Sequence, residues 1–189
     1  MLSYLKWTFW IVFWALVLSV LHYTLPRWDV VRIADTYERR ETFGANSIFW
    51  SMADTGSGSG EITREVFFIQ TITPGGRPIV YRNEDTGWGW PPFLKFDSAN
   101  LQALANDIRS TSQSPDWVAV KHYGWRAEFI TIYPNALRIK DVDGPDARVI
   151  PWTAIAILIA LGCVFWAIYA RWRRFWDNRI DPLLDGDEA

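Results

Sequence analysis

Cysteine occurs once in the 189 residues, at Cys163. An intramolecular disulfide is therefore impossible, as is a zinc site built on several cysteines. Histidine occurs twice, at His22 and His122, far apart in sequence. A metal centre needs three or four ligands, so no metal or cofactor is expected. Charge is missing from two long apolar stretches, Trp7–Leu25 and Pro151–Ala170. Residues 26–150 between them hold 14 of the 19 Lys and Arg and 16 of the 21 Asp and Glu. Such segregation excludes a wholly soluble globule, a disordered chain and a many-pass transporter. A net charge of −2 gives no electrostatic footprint for nucleic acid.

What is present divides the chain into five parts. Residues 1–6 are a short N-terminus. Residues 7–25 form the first span, whose 19 residues reach roughly 28 Å at the helical rise, close to the thickness of a hydrocarbon core. A cleaved signal peptide is the rival reading. Its basic region would rest on Lys6 and the terminal amine alone, and the best small-residue site, Val17-Leu18-Ser19, cuts inside the apolar run, so retention is expected. Residues 151–170 form the second span, opened by Pro151, whose missing N–H is harmless in a first helical turn. Residues 171–189 are the tail. Arg171, Arg173, Arg174 and Arg179 follow the second span at once, and basic residues beside a span stay in the cytoplasm. Both termini are then cytoplasmic, and residues 26–150 face a periplasm-like space.

Thirteen tryptophans are many for this length, and seven of them need no ligand. Trp7, Trp10, Trp28, Trp152, Trp166, Trp172 and Trp176 lie near span ends, where aromatic belts form at the headgroup level. Small residues mark how the spans pair. Thr153, Ala156, Ala160, Cys163 and Ala167 recur on one stripe of the second span, and Thr8, Ala15 and Ser19 share a face of the first, with His22 at its outer end. Such faces let membrane helices approach closely. The expectation is an antiparallel pair, with His22 near Trp152 and Thr153.

In the middle, Val30–Tyr37 alternates as a first strand. Thr55–Gly60 is a Gly/Ser loop without the Gly-Lys-Ser/Thr ending of a phosphate loop. Glu65–Thr73 and Pro78–Arg82 read as a hairpin turned by Pro74-Gly75-Gly76. A helix follows from Asp97 or Ser98 to about Ser110, with Leu101, Leu104 and Ile108 as its apolar stripe. Trp117–Tyr123, Ala127–Tyr133 and Leu137–Val142 read as three further strands. The fold class expected is α+β: a mainly antiparallel sheet with one helix, flanked by two transmembrane α-helices.

The strings Tyr81–Pro92, Lys95-Phe96-Asp97-Ser98, Tyr123-Gly124-Trp125-Arg126 and Tyr133-Pro134-Asn135-Ala136 resemble a bacterial family of two-span membrane proteins, catalogued only as a domain of unknown function. The resemblance runs over nearly the whole chain. It implies a bacterial inner-membrane protein and supplies no catalytic residue, cofactor or partner.

Candidate chemistry is sparse. His122 shares a strand face with Val118 and Val120, which suits a hydrogen-bonded structural histidine better than a general base. Asp141–Asp146 gathers three carboxylates around Gly144, but the glycine comes too early for an EF-hand loop and no bidentate Glu follows. Glu84-Asp85 is an acid/base candidate, with Arg82, Lys121 and Arg126 as ion-pair partners that would make it structural. Trp88-Gly89-Trp90-Pro91-Pro92 is the most unusual string: its aromatics either fill a core mouth or contact a partner or the membrane.

The reading is thus not an enzyme but an accessory or assembly factor, or a subunit of an inner-membrane complex. Its partners would be the lipid bilayer and a membrane protein, and its middle domain would make the protein contacts. The alternative is a ligand-sensing domain that signals through a partner, because 19 residues after Ala170 are too few for an output domain. An envelope enzyme stands third.

Overall fold

The computed structural model describes residues 2–42, 63–127, 129 and 131–179. The Gly/Ser loop Thr55–Gly60 lies outside them, as does the tail beyond Arg179. The chain forms two compact units, Met1–Ile150 and Pro151–Ala189.

The first unit opens with helix α1, Leu2–Thr24. Within it Tyr4–Thr24 is long and apolar enough to cross a membrane by length and composition, and none of that stretch is buried in protein. The second unit contains helix α3, Trp152–Arg179, in which Trp152–Asn178 passes the same test. With 28 residues and a rise of about 1.5 Å each, α3 outruns a bilayer core. It continues as helix past Ala170 and carries Arg171, Arg173 and Arg174 on its final turns.

Between the helices of the first unit's end and the linker to α3, five strands close into a barrel. They are β1 (Arg27–Thr42), β2 (Thr63–Ile72), β3 (Pro78–Asn83), β4 (Trp117–Tyr123) and β5 (Asn135–Asp141). Their order round the barrel is β1-β2-β3-β5-β4, with helix α2, Ser98–Asp107, between β3 and β4 in sequence. All neighbouring pairs are antiparallel except β3–β5. This is the strand order of the OB fold, a small barrel that has no free sheet edge once closed. The α+β class expected from the sequence holds, and closure is what the sequence did not reveal.

Closure depends on β1. Its first residues, Arg27–Arg32, pair with β4, and from Arg32 onward it pairs with β2. A bulge between Ile33 and Asp35 bends the strand where it changes partner. Alternation then sorts the side chains. Val31, Ile33, Ile69, Tyr81, Val118, Val120 and Ile139 fill the interior, and Leu101 and Ala105 of α2 join them. Leu104, expected on the buried stripe of that helix, is exposed instead, and Ala105 takes its place.

One expected strand, Ala127–Tyr133, is not found among the described residues. They show an isolated bridge, Ala127↔Ile132, in the connection between β4 and β5. The chain turns at Gly124 (φ +93°), then doubles back so that Ala127 and Ile132 exchange both backbone hydrogen bonds. The Arg126 guanidinium donates to the Ile132 carbonyl at 3.0 Å and fixes this turn. Phe129 in this turn is exposed, while Ile132 is buried.

Candidate functional site

One end of the barrel gathers most of the unusual residues. Arg27 at the start of β1 pairs with His122, Tyr123 at the end of β4 pairs with Asn135, and Arg82 near the end of β3 also pairs with Asn135. The start of β1, the ends of β3 and β4 and the start of β5 therefore meet at the end where α1 arrives. The junction is tied tightly. The Gly124 N–H donates to the Tyr23 carbonyl at 2.9 Å, and Arg27 donates to the Gly124 carbonyl at 3.1 Å. Tyr23 also stacks edge-on to Tyr123 and Trp125. His22 faces two donors, Trp125 Nε1 at 2.8 Å and Arg27 at 3.1 Å. A neutral imidazole accepts at one nitrogen only, so one of these contacts is a hydrogen bond and the other a close approach. The polar group near the end of α1 thus finds partners within its own unit.

Just inside lies a polar cluster in which Tyr81 and His122 are buried and Asp29 is partly exposed. The Tyr81 hydroxyl donates to Asp29 at 2.6 Å, and His122 Nε2 lies 2.9 Å from the same carboxylate oxygen. Burial pushes the Tyr81 hydroxyl well above its ordinary range, and the Asp29 charge adds to this, so Tyr81 stays a donor. Burial also raises Asp29, but His122 and Tyr81 outweigh it and hold the carboxyl below its usual value. Asp29 lies on the inward face with Val31 and Ile33. Starting the strand at Val30 hides it, and extending the same alternation back two residues would have found it.

The outer face of β1–β3 carries an aromatic and cationic patch. Tyr37 and Phe68 are cross-strand partners, stacked with centroids 5.1 Å apart. Tyr133 meets Phe68 edge-on at 5.2 Å. The Arg39 guanidinium lies 5.6 Å from the Phe68 centroid, and that of Arg126 lies 4.5 Å from the Tyr133 centroid. Arg39 and Arg126 are exposed, whereas Phe68 is buried. Burial, then the neighbouring Tyr133, raises the Tyr37 hydroxyl, which keeps it neutral. In OB barrels this strand face and the β1–β2 and β4–β5 loops are where ligands bind.

The carboxylates expected as a pair separate. Glu84 is buried and ion-paired to Arg82 at 3.1 Å, with only 6% and 2% of these side chains exposed. Asp85 is exposed and accepts the Ser98 N–H at 2.9 Å, which caps α2 from outside the helix. Among the described residues no group of His, Cys, Asp and Glu could hold a metal ion, and Asp141–Asp146 makes none. Trp88, Trp90 and Pro92 are exposed and Pro91 is buried. The base of their loop is anchored by Lys95. Its ammonium donates to Asn83 Oδ1 and, at 2.7 Å, to the Ala136 carbonyl. Ala15, Ser19 and His22 lie on α1, and Thr153, Ala156, Ala160, Cys163 and Ala167 on α3.

Residues 2–176 match the family described as a protein of unknown function, DUF1523. An uncharacterized protein of Haemophilus influenzae is 34% identical over 152 residues, which span 79% of this chain and 82% of that protein. No solved structure matches. The chain belongs to the DUF1523 family.

Proposed function

We propose that this protein is a binding module of the bacterial inner membrane, with both termini cytoplasmic and the barrel in the periplasm. It serves as an accessory or assembly factor, or a subunit of a larger membrane complex, and it holds a membrane-protein partner. The observation that carries this reading is the patch on the outer face of β1–β3, where Arg39 and Arg126 lie over Phe68 and Tyr133. Exposed arginines on aromatic supports are typical anchors of protein contacts. The orientation rests on Arg171, Arg173, Arg174 and Arg179 after the second apolar run. Binding is preferred to catalysis because the Asp29–His122–Tyr81 cluster has Tyr81 as a donor and Asp29 as its acceptor, an arrangement that ties β1 to β3 and β4.

The test is purification from native membranes in mild detergent, comparing the wild type with Arg39→Ala/Arg126→Ala. A stoichiometric partner that the double variant loses supports the reading. A lone protein carrying a bound small molecule would support the ligand sensor instead.

A further inference from the structure

The two ends of the barrel differ in chemistry. Away from α1, three of the described connections are polar: Thr73–Arg77 between β2 and β3, Arg109–Asp116 before β4, and Asp143–Arg148 after β5. At the α1 end, the connections bear aromatic side chains turned to solvent. Trp88 is 85% exposed, Trp90 71% and Phe96 61%, all between β3 and α2, and Phe129 between β4 and β5 is 89% exposed. Among the described residues, four large aromatics on two connections at one end, and none on these three connections at the other, is not the scatter expected of a soluble surface.

The loop that carries three of them is held firmly at its base. The Thr86 and Gly87 N–H groups both donate to the Lys95 carbonyl, and the Lys95 N–H donates to the Thr86 hydroxyl. Phe93 turns inward, its ring 5.0 Å from Tyr123, whose own ring lies 6.1 Å from Tyr23 near the end of α1. A chain of three rings thus connects the loop to the last turn of α1. Only Leu25 and Pro26 separate that helix from β1. If α1 crosses the bilayer, its last turn marks the membrane surface, and the barrel end around it faces the headgroups.

We propose that this barrel end is a lipid-contacting surface, in which Trp88, Trp90, Phe96 and Phe129 enter the headgroup region of the leaflet from which α1 emerges. Aromatic rings with apolar bodies and, in Trp, one N–H favour that layer. The surface needs no anionic lipid: Asp85 and Asp97 are exposed beside the aromatics, and the ammonium of Lys95 is buried. The contact fixes the barrel's tilt on the membrane, and so decides which way the Arg39–Arg126 face points. The proposal rests on α1 being a span, which the experiment checks separately.

The test uses the full chain in phosphatidylcholine nanodiscs, in a Cys163→Ser background, with an environment-sensitive fluorophore on one introduced cysteine. Trp90→Cys and Phe129→Cys report the barrel end, Gly75→Cys the opposite end, and Val12→Cys the middle of α1. The expected result is blue-shifted emission at 90 and 129, with loss of most of it when the lipids carry a headgroup-level quencher. Position 75 stays water-like, and position 12 is quenched only by a deep acyl-chain label. Water-like emission at 90 and 129 with position 12 quenched overturns the lipid surface while leaving the span intact. Protection of 90 and 129 by a co-purified protein rather than by lipid also overturns it. An unquenched position 12 removes the span and the proposal together.

Discussion

Asn135 holds Glu84 by both of its backbone groups: its Oδ1 accepts the Glu84 N–H at 3.0 Å and its Nδ2 donates to the Glu84 carbonyl at 3.1 Å. The β3–β5 pair is the one parallel contact of the barrel and has a single register pair, Arg82↔Asn135. Just beyond it, a side-chain amide replaces the missing backbone ladder and closes the barrel. Asn135→Ala removes these two hydrogen bonds and a third, from Nδ2 to the Tyr123 hydroxyl at 3.3 Å, and should cost about 2–3 kcal/mol. Asn135→Asp, which cannot donate to the carbonyl and buries a charge beside Glu84, should cost more. Chemical denaturation of the full chain in detergent compares them. Equal stability of all three proteins would show that the barrel closes without this grip.

Arg82 and Glu84 make a second prediction. Both are buried on the face of β3 that Tyr23 approaches, and Arg82 hydrogen-bonds Tyr23 as well as pairing with Glu84. Removing one partner leaves the other charged and buried. Glu84→Gln should therefore destabilise by about 3–5 kcal/mol, whereas Asp85→Asn on the surface should cost less than about 1 kcal/mol. A small effect at Glu84 would mean that water reaches the pair.

Lys95 sets a pH dependence. Burial pushes its ammonium down from 10.5 to about 8, although Asp85 and Asp97 favour the charged form. Between those values the unfolded chain holds the proton more tightly than the folded one, so stability rises with pH. The contribution is fully present above 10.5 and is lost as pH falls through about 8, a difference of roughly 3 kcal/mol. Tyr81 works the other way above pH 10, because its raised value stabilises the fold only while the unfolded tyrosine keeps its proton. The window for a net gain is pH 8–10. Unfolding midpoints should climb there for the wild type, and Lys95→Met should flatten the slope.

A fourth prediction concerns the exposed tryptophans. Trp88→Ala/Trp90→Ala should leave the barrel folded and lower its thermal stability only slightly, because neither ring is buried. Loss of several kcal/mol would show that they are packed in the native protein and not displayed.

The spans yield a fifth. On α1 the Ser19 hydroxyl is satisfied by the Ala15 carbonyl at 2.8 Å, so this face is small and makes no further polar demand. Ala15→Cys with Ala160→Cys, in a Cys163→Ser background, should cross-link within one chain. Links only between chains would mean that the stripe on α3 binds another subunit.

How much of this was legible follows from the range of each interaction. Trp117–Tyr123 was read with its observed bounds because alternation and flanking turn residues are local signals. The hairpin of β2 and β3 was readable from Pro74-Gly75-Gly76 for the same reason. Closure was not, since it depends on one bulge in β1 and one asparagine at the start of β5, and neither leaves a periodic trace. Ala127–Tyr133 misled because alternation reports burial and not pairing: Ile132 is buried and Tyr133 packs on Phe68, yet the described residues there pair only through the Ala127–Ile132 bridge. Of the residues proposed to make contacts, Trp88 and Trp90 stood out by composition. Arg39, Arg126, Phe68 and Tyr133 are ordinary in sequence and become a patch only when β1, β2 and the β4–β5 loop meet.

The central claim is that the barrel lies across the membrane from the arginines that follow the second span. The most direct measurement labels single cysteines in intact cells with a membrane-impermeant maleimide admitted to the periplasm, in a Cys163→Ser background. Gly75→Cys in the β2–β3 turn should be labelled without lysis, and Trp176→Cys near the end of α3 only after lysis. Labelling at 176 but not at 75 in intact cells would invert the topology and contradict the account.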